Sequence, residues 1–66
     1  MKKNKVVYLA YVSNESGAGE YAGSNTSLSG LKTDVRSRYG AGWTVKIEKI
    51  ENDIGPFEVA RFTIRK

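Results

Sequence analysis

The 66-residue chain contains no cysteine and no histidine, and it has a single proline. Without cysteine there is no disulfide framework, and without either residue type there are no thiolate or imidazole ligands for a structural metal. A chain of this length lies near the lower limit at which one hydrophobic core is stable alone, so either the core suffices or self-association adds stability. We predict one small domain over residues 1–66, with no metal and no cofactor.

The same absences leave little chemistry for catalysis. A serine, threonine or lysine nucleophile would lack its usual base, and the close acidic pairs, Glu48 with Glu51 and Glu51 with Asp53, fall on a predicted hairpin. A general acid needs a buried environment that raises its pKa, which a solvated turn does not supply. We predict that the protein is not an enzyme.

Long apolar runs are also missing. The run from Val6 to Val12 follows the basic residues of MKKNK and is far shorter than the run of about 20 apolar residues that a membrane span requires. No small-residue cleavage site follows it, so we expect that this segment is not a signal peptide. The sequence favours a soluble cytoplasmic protein with no membrane partner, in which residues 1–5 form a flexible basic N-terminus.

Positive charge is in excess, with 11 lysines and arginines against 7 acidic residues and a net charge of +4. Such an excess favours contact with polyanions such as nucleic acid, or with an acidic protein surface. Lys2, Lys3 and Lys5 lie near one terminus, however, and Arg65 and Lys66 lie at the other. The body is therefore closer to neutral, and an ordinary solvated surface remains an equal interpretation.

Residues 6–12 are β-branched and aromatic enough to predict a strand. Alternation places apolar side chains on both of its sides, which is typical of a central strand. The two sides carry Val7, Leu9 and Tyr11, and Val6, Tyr8, Ala10 and Val12.

Residues 28–38 predict a helix, because Leu28, Leu31, Val35 and Tyr39 recur at steps of three and four residues. Thr26 or Ser27 would cap its start, and Gly40 would end it in the left-handed conformation. Gly30, inside the helix, indicates either close packing against a strand or ring, or flexibility.

Two further strands are predicted at residues 43–51 and 57–65, joined through NDIGP. Trp43, Val45 and Ile47 share one side of the first, while Ile50 is out of phase, so we expect a bulge near Lys49. Pro56 would stand only at the start of the last strand.

The glycine-rich stretch SNESGAGEYAGSN, residues 13–25, raises the question of a phosphate-binding loop. Glu20 places negative charge where phosphate would bind, and no lysine followed by serine or threonine is present. A hairpin in which residues 19–23 return as a short edge strand fits better, although a mobile loop remains open. The predicted fold is α+β, a small antiparallel sheet of three or four strands in the order β-(β)-α-β-β with one helix across one face.

Nucleic-acid binding is the first functional hypothesis. Lys46, Arg61 and Arg65 alternate onto an outward sheet face near tyrosines, the combination used for backbone contact and base stacking. Lys32 and Arg36 form a rival basic surface on the helix. Cross-strand pairing of Lys46 and Glu48 with Glu58 and Arg61 would instead explain these residues as a solvated face.

Protein–protein interaction is the second hypothesis, as a homodimer or as a small inhibitor-like accessory protein. One short helix covers one face of a sheet, yet residues 6–12 are apolar on both sides. The candidate interface residues are Val6, Tyr8, Tyr11 and Tyr21. Half-exposed tyrosines at the edge of a small sheet are also ordinary. The two functional hypotheses differ in the salt dependence of binding, because salt weakens phosphate contacts but not apolar ones.

Overall fold

The computed structural model describes residues 5–65, which form one four-stranded antiparallel sheet and one helix. The elements are β1 (Val6–Ser13), β2 (Gly19–Asn25), α1 (Leu28–Arg38), β3 (Thr44–Glu51) and β4 (Ile54–Thr63), and the strand order is β2-β1-β3-β4. The α+β class and the order of elements are confirmed, including the fourth strand that the sequence left open. Of the predicted basic N-terminus, residues 1–4 lie outside the described residues.

The glycine-rich stretch is a hairpin turn and its returning strand. The Asn14 side-chain oxygen accepts hydrogen bonds from the backbone N–H groups of Ser16 and Ala18, and the Asn14 N–H donates to the Ala18 carbonyl at 3.0 Å. Gly17 takes a φ of 86°, which glycine tolerates without steric cost. Because the backbone amides of this turn bond to Asn14, the stretch is not arranged as a phosphate loop.

The helix begins as its sequence predicts and ends differently. Ser27 caps it by accepting a hydrogen bond from the Gly30 N–H at 3.1 Å. A Cβ at Gly30 would lie 3.1 Å from the side-chain nitrogen of Asn25, the last residue of β2, so the end of a strand makes the close approach. Gly40 does not take the left-handed conformation, because Tyr39 already leaves the helix in an extended conformation and packs its ring against Trp43.

The core lies between the helix and one face of the sheet, which we call the helix-side face. Its buried residues come from β1, β2, β3, the helix and the residue that follows β4: Ala10, Val12, Ala22, Leu31, Val35, Val45, Ile47 and Ile64. The helix lies against β1 and β2. Trp43, which the sequence places on the same side as Val45 and Ile47, is only partly buried at the margin of this core.

The β3–β4 hairpin is tighter than predicted. Asn52 and Asp53 have φ values of 53° and 65°, the two left-handed positions of a two-residue hairpin turn, so β4 begins at Ile54 and not at Phe57. The bulge expected in β3 near Lys49 lies in β4 instead, because β3 pairs regularly with β1 throughout while its register against β4 shifts on both sides of Lys49. Pro56 lies third in β4, after a cis peptide bond, where the ladder is already interrupted.

The two ends of the sheet are built differently. β2 pairs with β1 only from Tyr8 onward, so near the β3–β4 turn the sheet has three strands and no helix over it. We call residues 48–59, which contain the turn and the adjoining parts of β3 and β4, the hairpin end. Lys5 is fixed beside it, because its carbonyl accepts from the Asn52 N–H at 2.8 Å and its N–H donates to the Asn52 side chain at 2.9 Å.

Candidate nucleic-acid interface

A row of two tyrosines and two cations crosses all four strands on the face opposite the helix, which we call the open face. Tyr21 pairs with Tyr11, Tyr11 with Lys46, and Lys46 with Arg61, each pair as direct neighbours in register. The alternation of side chains explains the row, since Val12 and Val45, which adjoin Tyr11 and Lys46 in sequence, point into the core. We call these four residues the tyrosine–cation row.

The side chains of the row are close enough to act together. The Tyr11 and Tyr21 ring centroids are 5.6 Å apart with the ring planes tilted by 59°, and the Lys46 Nζ lies 5.6 Å from the centroid of Tyr11. Tyr21 is 54% exposed. The row borders a shallow concavity of about 500 Å³ that is also lined by Ser13, Gly19, Glu20 and Thr44. Aromatic and charged groups therefore converge on one accessible surface.

Each cation of the row has a carboxylate beside it. The Lys46 Nζ lies 3.8 Å from Glu48 Oε2, and Arg61 binds Glu58 in a bidentate manner, with Nη2–Oε1 at 2.6 Å and Nε–Oε2 at 3.2 Å. Both ion pairs join residues of the same strand, whereas the sequence suggested pairing across strands. Val59 is an extra residue in β4, because Ala60 lies opposite Ile47 and Glu58 opposite Glu48, and this bulge puts Glu58 on the same face as Arg61.

The Arg61–Glu58 contact sets the ionisation of both groups. The hydrogen bond from Arg61 is the main cause that lowers the pKa of Glu58, and the same bond raises the pKa of Arg61. Both groups are therefore charged at neutral pH. The local charge of the open face is balanced, which limits nonspecific attraction to polyanions.

The other predicted basic residues lie elsewhere. Arg65 follows the end of β4 and is exposed. Lys32 and Arg36 are on the helix, on the other side of the sheet, where the Arg36 guanidinium lies 4.8 Å from the ring centroid of Phe62. Of the five residues predicted for nucleic-acid contact, the structure brings together Lys46 and Arg61 and separates the other three from them.

Arg38 and Tyr39 connect the end of the helix to β2. The Arg38 guanidinium donates to the Ala22 carbonyl and, at 2.7 Å, to Asp34 Oδ2. The Tyr39 hydroxyl donates to Glu20 Oε2 at 2.6 Å, and this hydrogen bond is the main cause that raises the pKa of Tyr39. These contacts position β2, and with it Tyr21, relative to the helix.

The four residues predicted for a protein interface divide between the two faces. Val6 and Tyr8 share the helix-side face, where Tyr8 is partly buried against the core, while Tyr11 and Tyr21 belong to the open face. A more exposed apolar group, which the sequence did not predict, lies at the hairpin end. Ile54, Phe57 and Val59 line a concavity of about 370 Å³ there. In an unbroken strand, Phe57 would point to the side opposite Ala60 and Phe62. The apolar residues of β4 thus change phase between Phe57 and Ala60, and this change was the sign of the bulge in the sequence.

Within residues 5–65, no helix is long and apolar enough to cross a membrane, and no three acidic, histidine or cysteine side chains are grouped so as to hold a metal ion. Comparisons with protein-family models, with curated proteins and with solved structures find no match.

Proposed function

We propose that the protein is a non-catalytic domain that binds nucleic acid through the open face of its sheet. The observation that supports this proposal is the tyrosine–cation row, in which two neighbouring rings are followed by two neighbouring cations on one accessible surface. Single strands are bound in this way by many sheet surfaces, with bases stacked on aromatic rings and phosphates held by basic side chains.

The dimensions of the row fit a short single-stranded segment. Four adjacent strands span three interstrand spacings, or about 14 Å, at roughly 4.8 Å for each spacing. Stacked nucleotides rise about 3.4 Å each, so the row accommodates about four of them. One or two bases would stack on Tyr21 and Tyr11, and the phosphates that follow would lie against Lys46 and Arg61.

The two carboxylates of the open face limit the affinity. A phosphate that binds Arg61 must compete with Glu58, and one that binds Lys46 must compete with Glu48. Removing either negative charge should therefore strengthen binding, whereas a purely structural ion pair would give no such gain. Glu58→Gln is the sharper variant, because its contact with Arg61 is bidentate.

The test is fluorescence anisotropy with labelled single-stranded DNA and RNA of mixed sequence, at about 50 mM salt, where electrostatic binding is strong. We expect Lys46→Gln and Arg61→Gln each to weaken binding for all sequences and to reduce the salt dependence by about one counterion. Lys49→Gln is the matched control, because Lys49 lies on the helix-side face and pairs with Glu51.

The aromatic contribution is tested with Tyr21→Ala, which should cost about 1 to 3 kcal/mol of binding free energy if a base stacks on the ring. Phe57→Ala is its control, since Phe57 is exposed to a similar degree, 57% against 54%, on the other face. Undetectable binding of the unmodified protein at low salt, or equal effects of Lys46→Gln and Lys49→Gln, would refute the proposal.

A second candidate function, protein–protein interaction, is favoured by a different observation. Ile54, Phe57 and Val59 are exposed together at the hairpin end, and this group is separated from the tyrosine–cation row by the sheet. The two functions use opposite faces and are compatible with each other.

A further inference from the structure

The hairpin end exposes more large apolar side chains than any other part of residues 5–65. Ile54 is 63% exposed, Phe57 57% and Val59 43%, and the three line one concavity together with Lys49, Glu51 and Asn52. Single exposed hydrophobic residues are ordinary on protein surfaces, but a contiguous group with a polar rim is typical of an interaction site.

This apolar group lies on the helix-side face. Phe57 is in register with Lys49, and Ile54 with Glu51, and both partners share the side of β3 that carries Val45 and Ile47. The helix does not cover the group because it lies against β1 and β2. On this face, β4 and the hairpin-end part of β3 are therefore not covered by the helix, whereas Val45 and Ile47 of β3 are buried in the core.

The charges of the chain are divided between the same two regions. The hairpin end, residues 48–59, carries four acidic residues and one lysine, for a net charge of −3. The other described residues, 5–47 and 60–65, carry seven lysines and arginines against three acidic residues, for a net charge of +4. Of these four acidic residues, Glu51 and the turn residue Asp53 adjoin Ile54 of the apolar group, whereas Glu48 and Glu58 lie on the open face, where they pair with Lys46 and Arg61.

Two helix cations border the uncovered space. Arg36 reaches toward β4, with its guanidinium 4.8 Å from the Phe62 ring centroid, and Lys32 lies one turn earlier on the same stripe of the helix. Phe62 itself is partly buried and packs against the core. This side of the body thus presents basic groups beside an aromatic ring, which complements an acidic, apolar hairpin end.

The free edge of β4 is poorly suited to extending the sheet. Pro56 has no N–H to donate, and the bulge at Val59 interrupts the regular spacing of backbone groups. A partner is therefore expected on the side-chain face of the hairpin end and not along its edge.

We infer that the occupant of this face is a second copy of the chain, in a two-fold dimer in which the hairpin end of each copy lies on the helix-side face of the other, beside Lys32 and Arg36. Two-fold symmetry makes the contact twice, so that two small apolar groups are covered at once. In this arrangement Glu51 and Asp53 of one copy face Lys32 and Arg36 of the other, whereas contact between two hairpin ends would bring acidic groups together. The inference does not rest on nucleic-acid binding.

Sedimentation of the full chain at two protein concentrations and two salt concentrations tests the arrangement. We expect a concentration-dependent dimer at about 50 mM salt that weakens at about 500 mM, because screening reduces the attraction between the hairpin end and the helix. A dimer made by two hairpin ends would strengthen with salt instead. A monomer at every concentration would overturn self-association and leave a foreign protein as the partner.

Phe57→Ser should raise the dimer dissociation constant at least about tenfold, as expected for a residue at the centre of an interface. Tyr21→Ser is its control, an equally exposed aromatic on the open face, and should leave the dimer unchanged. Far-ultraviolet circular dichroism of both variants establishes that each is folded. Equal effects of the two substitutions would contradict the assignment.

A charge exchange distinguishes this dimer from other modes of association. The first variant combines Glu51→Lys with Asp53→Asn and replaces the acidic charge beside the apolar group with a positive charge. The second variant combines Lys32→Glu with Arg36→Glu and makes this side of the helix acidic. Each variant alone should be monomeric, because like charges then meet. Mixed together they should form a heterodimer, since both contacts regain opposite charges. Failure of the mixture to associate, with both variants folded, would overturn the arrangement.

Discussion

The two ends of this sheet have similar strands but different surroundings. At the end under the helix, alternate residues such as Val45 and Ile47 are fully buried, because α1 and four strands surround them. At the hairpin end, Phe57 and Ile54 occupy equivalent inward positions and remain exposed, because no helix covers them and the sheet has three strands. The alternation of apolar residues determines which side of the sheet a side chain occupies, whereas its burial depends on whether another element covers that part of the sheet.

The arginines at the two ends also differ in their surroundings. Under the helix, the Arg38 guanidinium is bound to the Ala22 carbonyl and to Asp34, so its charge stabilises the contact between the helix and β2. Near the hairpin end, Arg61 pairs with Glu58 in solvent. The first cation therefore stabilises the fold, whereas the second forms an ion pair at the surface.

The largest contrast is expected from core truncation. Leu31→Ala should lower the free energy of unfolding by about 2 to 5 kcal/mol, since Leu31 is fully buried against the sheet. Phe57→Ala should change it by no more than about 0.5 kcal/mol, as substitutions of exposed residues do. Urea denaturation of both variants, at a concentration where the protein is monomeric, measures the difference. Comparable losses would mean that the hairpin end is part of the cooperative core.

Backbone geometry at the hairpin end can be tested with Gly55→Ala. A Cβ at this position would lie 2.7 Å from the Lys49 carbonyl oxygen, and the φ of 133° is unfavourable for alanine. We expect a loss of about 1 to 3 kcal/mol, or local unfolding that amide hydrogen exchange would detect in residues 48–59. Gly40→Ala is the control, because no atom lies within 4 Å of its added Cβ, and it should be close to neutral.

Arg38→Ala separates the two kinds of cation. It should cost about 1 to 2 kcal/mol of stability, because the Ala22 carbonyl loses a charged donor in a partly buried position. Arg61→Ala should cost much less, since its partner is in solvent and water screens the pair. Thermal unfolding followed by circular dichroism is sufficient to compare them, and an equal effect would mean that the Arg61–Glu58 pair supports the fold.

The fold followed from the sequence because its signals are local. The helical stripe from Leu28 to Val35, the Ser27 cap and the alternation in β3 each depend on residues a few positions apart. For the glycine-rich stretch, Glu20 disfavoured a phosphate loop, but the sequence left a hairpin and a mobile loop open, and only the pairing of β2 with β1 decides between them.

The candidate surfaces depended on information that local patterns do not contain. The tyrosine–cation row requires the register of four strands, and Tyr21 aligns with Tyr11 only because Ala22 is an extra residue in β2. Placing Glu58 beside Arg61 requires the bulge at Val59. The exposure of Phe57 requires knowing that the helix lies over β1 and β2, a choice made by the packing of the whole core.

The smallest effect concerns the proton of Tyr39, which belongs to the helix-covered end. Its hydroxyl donates to ionised Glu20, and because this bond raises the pKa of Tyr39 above its ordinary value near 10, the folded state holds the phenolic proton more tightly than the unfolded state does. The contribution to stability is therefore fully present below the unfolded pKa and is lost as the pH rises through the folded pKa. In an ultraviolet titration, the Tyr39 phenol, assigned by comparison with Tyr39→Phe, should ionise at a higher pH than free tyrosine. Glu20→Gln should lower the pKa of Tyr39, whereas Glu15→Gln, in the exposed β1–β2 turn, should not. If the two substitutions had the same effect, the hydrogen bond between the end of the helix and β2 would be absent in solution.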